Sequence, residues 1–437
     1  MEMIKMNNII IDTSCGPIKG VQYSDQTEQF LGIRYATAAR WSYPQEVTNW
    51  NGTYDATTFR DACIQRRTFY PESNDSFYYQ EFRKGELYTY SEDCQYLNIW
   101  KPANCQKAPV ILYIHGGAFQ GGCGNEKPFD GSFYAEKGII FITCNYRLGA
   151  LGFCSLPELT ERDGHSGNYG LYDQLTALQW IYHNIEQFGG NPENITLMGQ
   201  SAGAMSVQQL CAAPHAKKYI AKAIMTSGGG ISDSFSKLIY IENAYPFWKD
   251  VTSKLGNTLD DWLNVPPKML LDAMNETAPR YDNALQYFMP VIDRKLICYD
   301  QKDLSTQKVQ ASIPYIMGST KDDLFAKTFA KMAKDWTIQQ KSQNMRPSYC
   351  FYFGRDLPGD NNGAWHSSEL WYTIGAFSKC WRPWTTWDQE ISNSLMNYFC
   401  NFAKTGDPNS NGLPTWSPTQ YSDDPILIID NSKIQMN

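Results

Sequence analysis

Five residues, Gly199-Gln200-Ser201-Ala202-Gly203, lie between the apolar run ending at Met198 and the small-residue stretch Ala204-Met205-Ser206-Val207. The order reads as strand, abrupt turn, helix. Strand and helix can approach that closely only if the residues two positions either side of the turn are nearly free of side chain. Gly199 and Gly203 meet that demand, and Ser201 is left exposed at the apex on a strained backbone, where its hydroxyl can act as a nucleophile. Such a pentapeptide arises readily by chance, so its context decides what it means.

Upstream, the strand-like run Val110-Ile111-Leu112 leads into Tyr113-Ile114-His115-Gly116-Gly117-Ala118-Phe119. A turn of that composition exposes consecutive backbone N–H groups to a developing oxyanion. Further strand candidates are Ile139 to Cys144, Ile195 to Met198, Ala223 to Thr226, Pro314 to Gly318, Tyr349 to Phe353 and Ile426 to Ile429. Between them, Asp173 to Ile185 and Ala202 to Ala213 carry helical periodicity. Strands alternating with helices predict an α/β fold, a mostly parallel twisted sheet with helices on both faces. At the start, Asn8 to Gly20 and Val21 to Tyr35 read as strands of an antiparallel edge. The proline-punctuated stretch from 232 to 304 reads as a helical cap-like insertion over the sheet's C-terminal edge, within one domain spanning 1–437.

Composition narrows the partners. With a net charge of −7 and no Lys/Arg block longer than a pair, a nucleic-acid partner is not expected. The first eight residues lack the apolar stretch of a signal peptide, and no apolar run of about 18 residues could span a bilayer. A soluble, cytoplasmic protein without a membrane partner is expected, and monomer and homodimer both stay open. The 12 cysteines show no CxxC pair, so neither a zinc site nor a redox motif is implied and no cofactor or metal is expected. Most read as buried thiols.

A serine hydroxyl needs a base in reach and an acid to orient that base. Five histidines compete. His115 belongs to the glycine turn, His165 to a polar loop, and His183 to the middle of a helix. His215 lies about 15 Å or more along the helix that starts after Ser201. His366, in a loop after the strand Tyr349 to Phe353, is the remaining base. In the order serine, acid, histidine, the acid follows a strand between the other two. The strand Pro314 to Gly318 runs into Lys321-Asp322-Asp323, although an acidic pair there also suits a helix cap.

With those residues in hand, the chain resembles the type-B carboxylesterases, the cholinesterase-like branch of the α/β hydrolases. Phe30-Leu31-Gly32-Ile33-Arg34-Tyr35-Ala36 resembles the family's N-terminal motif. Glu92-Asp93-Cys94-Gln95-Tyr96-Leu97-Asn98-Ile99-Trp100 is similar to its EDCLYLNIW signature, with Gln95 in place of leucine. Asn145 to Gly149, Phe188 to Pro192 and Phe402 to Pro408 complete the set. The resemblance implies an α/β-hydrolase fold and a serine esterase for small to medium neutral carboxylic esters, working through an acyl-enzyme. By position it implies Ser201 as nucleophile, His366 as base then acid, and Asp323, second in a KDEG-like pattern, as orienting acid. It also implies oxyanion donors at Gly116, Gly117 and Ala202, and support of the acid by Ser206.

Trp365, Trp371 and Phe119 are expected to line the substrate pocket, with Tyr372, Phe377 and Trp381 extending an aromatic wall. Gln200 stands where the family commonly has glutamate, and only some forty residues separate Asp323 from His366. Both departures prevent substrate preference from being inherited. Cys63 and Cys94 fall where secreted relatives form a disulfide, and free thiols are expected here. The alternative to an enzyme is a catalytically silent, cholinesterase-like binding protein, which would usually lack the serine or the histidine. A lipase would need a large apolar lid, which 232–304 does not resemble.

Overall fold

The structure, a computed structural model, describes residues 7–437 apart from Asp25, Asp233, Ser234, Ser236 and Asn344, and describes the backbone alone at Ser24 and Gln301. Its centre is a sheet of 13 strands. Twelve form one continuous path: β1 (Asn7–Thr13), β2 (Gly16–Ser24), β3 (Thr27–Arg34), β4 (Tyr96–Pro102), β5 (Ala108–Ile114), β6 (Ile140–Cys144), β7 (Gly190–Gln200), β8 (Lys222–Thr226), β9 (Tyr315–Thr320), β10 (Ser348–Phe353), β11 (Leu427–Ile429) and β12 (Ile434–Met436). Their spatial order is β1-β2-β3-β4-β6-β5-β7-β8-β9-β10-β11-β12, and the short strand Tyr54–Asp55 pairs with β2. Every pairing from β6 through β11 is parallel, and both flanks are antiparallel. This is the architecture of an α/β hydrolase.

The central strands carry mainly apolar runs because both of their faces are covered. On β5, Val110, Leu112 and Ile114 enter one core, with Leu178 and Ile181 of the helix Tyr169–Asn184 and Val207 and Leu210 of the helix Ala202–Ala212. Ile111 and Tyr113 point to the opposite core, with Ile391, Leu395 and Phe402 of the helix Thr386–Thr405. The period-2 alternation of a strand thus divides one apolar run between two layers. The buried Arg147 and Asp173 tie the first layer together. Arg147 donates Nε and its backbone N–H to Asp173 Oδ2 at 2.8 and 2.9 Å, and Nη2 to Oδ1 at 2.8 Å.

The N-terminal edge is antiparallel, as expected, and holds three strands, with the first turn at Ser14-Cys15. There Thr13 Oγ1 donates to the Gly16 carbonyl at 2.8 Å, and Gly16 takes φ 121°. The segment 232–304 is helical, as expected, with helices Ile241–Thr252, Leu259–Asn264 and Pro267–Thr277. Its buried Phe247, Trp248, Leu270 and Met274 join the first core. Among the described residues, no helix is long and apolar enough to cross a membrane. Cys63 and Cys94 are free, buried thiols in contact with each other.

Candidate active site

Strand β7 runs through Gln200, and the next helix begins at Ala202, leaving Ser201 alone in the turn with φ 57° and ψ −127°. A non-glycine residue at positive φ is strained and persists only where its surroundings fix it. Here the Ser201 N–H donates to the Thr226 carbonyl of β8 at 2.9 Å. The glycines explain the tightness. A Cβ at Gly203 would sit 2.0 Å from the Ile114 carbonyl oxygen, and one at Gly199 would sit 2.4 Å from Gly203. Gly228, which sequence reasoning did not single out, presses equally close: its Cβ would lie 2.1 Å from the Ser201 carbonyl oxygen. The run Gly228-Gly229-Gly230 directly after β8 was the available signal.

The structure brings His366 and Asp323 together. His366 Nδ1 lies 2.7 Å from Asp323 Oδ1. An ionised carboxylate can only accept, so Nδ1 carries the proton and Nε2 presents its lone pair. Burial alone would raise the Asp323 pKa, but the hydrogen bond and charge of His366, helped by Ser227 and Thr320, outweigh it and hold the carboxyl below its usual range. Thr320 Oγ1 donates to Asp323 Oδ2 at 2.8 Å. That support was expected from Ser206, whose buried hydroxyl has no hydrogen-bond partner in the structure. Thr320 sits at the end of β9, three residues before the acid, whereas Ser206 is held inside the helix Ala202–Ala212.

His366 Nε2 faces the Gln200 amide nitrogen at 3.3 Å, so the residue before the serine touches the base directly. Among the described residues no hydrogen bond joins Ser201 Oγ to Nε2. Such bonds are commonly long in an empty site and tighten around substrate. Of the other four histidines, His115 stands in the glycine turn beside Ser201, and the other three line no part of the serine's cavity. His115 is buried and neutral, its pKa lowered to about 4 by loss of solvent, with Nδ1 2.8 Å from the Gly116 carbonyl and its ring stacked on Tyr146. His165 stacks on Tyr43, His183 pairs with Glu46, and His215 is exposed.

Gly116 abuts the nucleophile, since a Cβ there would lie 3.0 Å from Ser201 Cβ. Gly117 at φ 110°, Ala118 at 54° and Phe119 at 58° curl the turn beside it. Ser201, His366, Gly116 and Gly117 all line one cavity of about 600 Å³. The expected aromatic wall is not part of it. Phe119 is fully buried against Phe153, and Trp371 is fully buried against Phe82 and Trp384. Trp365 packs edge-on to Phe77 at 4.8 Å, and Tyr372 and Phe377 lie in the same core. The helix Phe77–Phe82 packs on Trp365 and Trp371, and its Tyr78 and Phe82 line the cavity. Tyr78 also donates to the His366 carbonyl at 3.0 Å, which steadies the loop bearing the base.

Glu369, three residues after His366, was also missed. Its carboxyl is buried, and burial pushes its pKa up to about 7 although the Thr226 hydroxyl and the charge of His366 oppose the shift. Among the described residues, no cluster of side chains suited to a metal ion is present.

Comparison with known proteins identifies the family. The carboxylesterase family model matches residues 7–350 and 323–437. The chain belongs to the carboxylesterase family. Among curated family members, it is 34% identical over 326 residues to the para-nitrobenzyl esterase of Bacillus subtilis, covering 73% of this chain and 63% of that protein. It is 37% identical over 230 residues to the fumonisin B1 esterase of Sphingopyxis macrogoltabida, covering 51% of this chain and 40% of that protein. The aligned regions thus span less than two thirds of either relative. A solved PNB esterase superposes with a TM-score of 0.86 at 27% identity, over 98% of this chain and 96% of that one.

Proposed function

We propose that this carboxylesterase-family chain is a serine esterase acting on small to medium carboxylic esters, with Ser201, His366 and Asp323 as its triad. The observation that carries the reading is the Asp323–His366 hydrogen bond, 2.7 Å long, set beside a strained Ser201 on the same cavity. In this mechanism Ser201 Oγ attacks the ester carbonyl carbon while His366 Nε2 takes its proton. The N–H groups of Gly116, Gly117 and Ala202 hold the developing oxyanion, and each such donor is typically worth about 3 to 4 kcal/mol in the transition state. Collapse of the tetrahedral intermediate breaks the C–O bond, and His366 returns the proton to the leaving alcohol. Water, activated by the same base, then attacks the acyl-serine and releases the acid.

Asp323 keeps the proton on Nδ1 and stabilises the imidazolium. Gln200 gives the base a neutral neighbour in place of a charged one. The cavity's size suits a small to medium ester, and the relatives, a para-nitrobenzyl esterase and a fumonisin B1 esterase, point the same way. The 12 free cysteines fit a reducing compartment such as the cytoplasm.

The test is hydrolysis of p-nitrophenyl esters, acetate through octanoate, by wild type and Ser201→Ala in parallel. Turnover by wild type and a fall of at least about a thousand-fold in kcat for the variant are expected. Absence of turnover on every ester would sink the enzyme reading and leave a silent binding protein.

A further inference from the structure

We infer that the ester taken by this site carries a second group, a carboxylate remote from the reacting carbonyl, and that Arg66 binds it. The inference rests on the esterase reading and narrows its substrate. Five ionised side chains other than the base line the serine cavity: Arg66, Arg67 and Arg83 against Glu72 and Glu126. Both carboxylates are committed. Arg67 Nη1 donates to Glu126 at 2.7 Å and Arg83 Nη1 to the same oxygen at 3.3 Å. Arg83 grips Glu72 through Nε at 2.7 Å and Nη2 at 2.5 Å. These four charges cancel, so they offer an incoming anion little.

Arg66 is the cation left over. It is exposed and, among the described residues, has no acceptor. Its guanidinium carbon lies 5.7 Å from the centre of the Tyr70 ring. Contact with a ring face orients the group while leaving its N–H edge open. That edge matches the two oxygens of a carboxylate, which a lysine would meet only as a point charge. A single unmatched positive charge suits a monoanion better than a phosphate dianion.

Position gives the second argument. Gln65, Arg66, Gln120 and Gly121 line the serine cavity and also a neighbouring cavity of about 300 Å³. The neighbouring cavity is walled mainly by apolar residues such as Leu148, Leu151, Leu270 and Met274. An ester seated at Ser201 therefore meets Arg66 where one chamber gives way to the next. Substrate arms too short to reach this wall gain nothing from the charge. The protein as a whole carries a net charge of −7, which would repel an anionic substrate without such a local cation.

The experiment compares paired substrates on the full chain at low ionic strength. The acyl pair is the mono-p-nitrophenyl ester of a C4 to C8 dicarboxylic acid against the p-nitrophenyl alkanoate of equal length. The alcohol pair is the acetate of an ω-hydroxy acid against the acetate of the matching alkanol. Each variant is scored by its own anionic-to-neutral ratio of kcat/KM, so a general loss of activity cancels. In at least one pair the wild-type ratio should exceed one and fall about ten- to a hundred-fold in Arg66→Gln, as for loss of a charge-assisted hydrogen bond. It should fall further in Arg66→Glu and recover partly in Arg66→Lys.

As a check that needs no variant, the wild-type ratio should decline as salt is raised to about 0.5 M, because the cation is exposed. A ratio unchanged by Arg66→Gln, or insensitive to salt, overturns the inference while leaving neutral-ester turnover intact. Failure of wild type on every ester of both pairs, neutral and anionic, overturns the esterase reading instead.

Discussion

Glu369 shows how one residue can make a protein's stability depend on pH without being part of its catalytic chemistry. Its carboxyl is wholly buried, and burial raises its pKa from 4.5 to about 7. Because the folded-state pKa is the higher one, the protonated form is favoured in the fold. The resulting stability is complete below pH 4.5 and is lost as pH rises toward 7. Glu369→Gln, which cannot ionise, should therefore gain on the order of 3 kcal/mol over wild type at pH 8 and little at pH 4. Thermal melts of both proteins across that range would check this, and parallel pH profiles would refute it. No sequence pattern announces such a group, since a buried acid is defined by what surrounds it. Ser201, His366 and Asp323 are legible for the opposite reason: their spacing follows strand ends, and chain order limits the choices. Thr320 in place of Ser206, and Tyr78 and Phe82 in place of Trp365, Trp371 and Phe119, depend on which side chains face inward. Local sequence does not fix that.

At the scale of elements, the parallel core is readable because strands covered on both faces carry short, mainly apolar runs, as in Ile140–Cys144 and Ala223–Met225. The N-terminal strands are half-exposed, and their boundaries shift with a single side-chain turn at Thr13. The place of 232–304 is less legible still, because amphipathic helices state that they pack without stating against what. Helix Tyr169–Asn184 carries one feature whose cost can be measured. Asp173 on that helix is wholly buried and holds Arg147 through both oxygens. Asp173→Asn would leave a buried guanidinium without its counter-charge, a loss of about 3 to 5 kcal/mol. The midpoint of urea unfolding should fall accordingly. A midpoint within error of wild type would show that Arg147 finds other acceptors, of which the Ser42 carbonyl at 2.8 Å is the nearest at hand.

Across the whole molecule, the chemistry is spread over a long stretch of chain and a short stretch of sheet. Ser201 follows β7, Asp323 follows β9 and His366 lies in the loop after β10, while β7, β8, β9 and β10 are consecutive neighbours. More than a hundred residues separate the serine from its acid in sequence, and the span between them includes the whole helical segment. Closing such loops is slow compared with forming helices. On refolding from denaturant, helical circular dichroism should therefore return ahead of ester hydrolysis, and stopped-flow traces of the two signals would show the lag. Coincident recovery would mean that the four strands zip together as early as the helices form. If the proposed triad is correct, the order β7-β8-β9-β10 makes ester hydrolysis a late reporter of assembly: a population of chains can look folded to spectroscopy well before any member of it can turn over an ester.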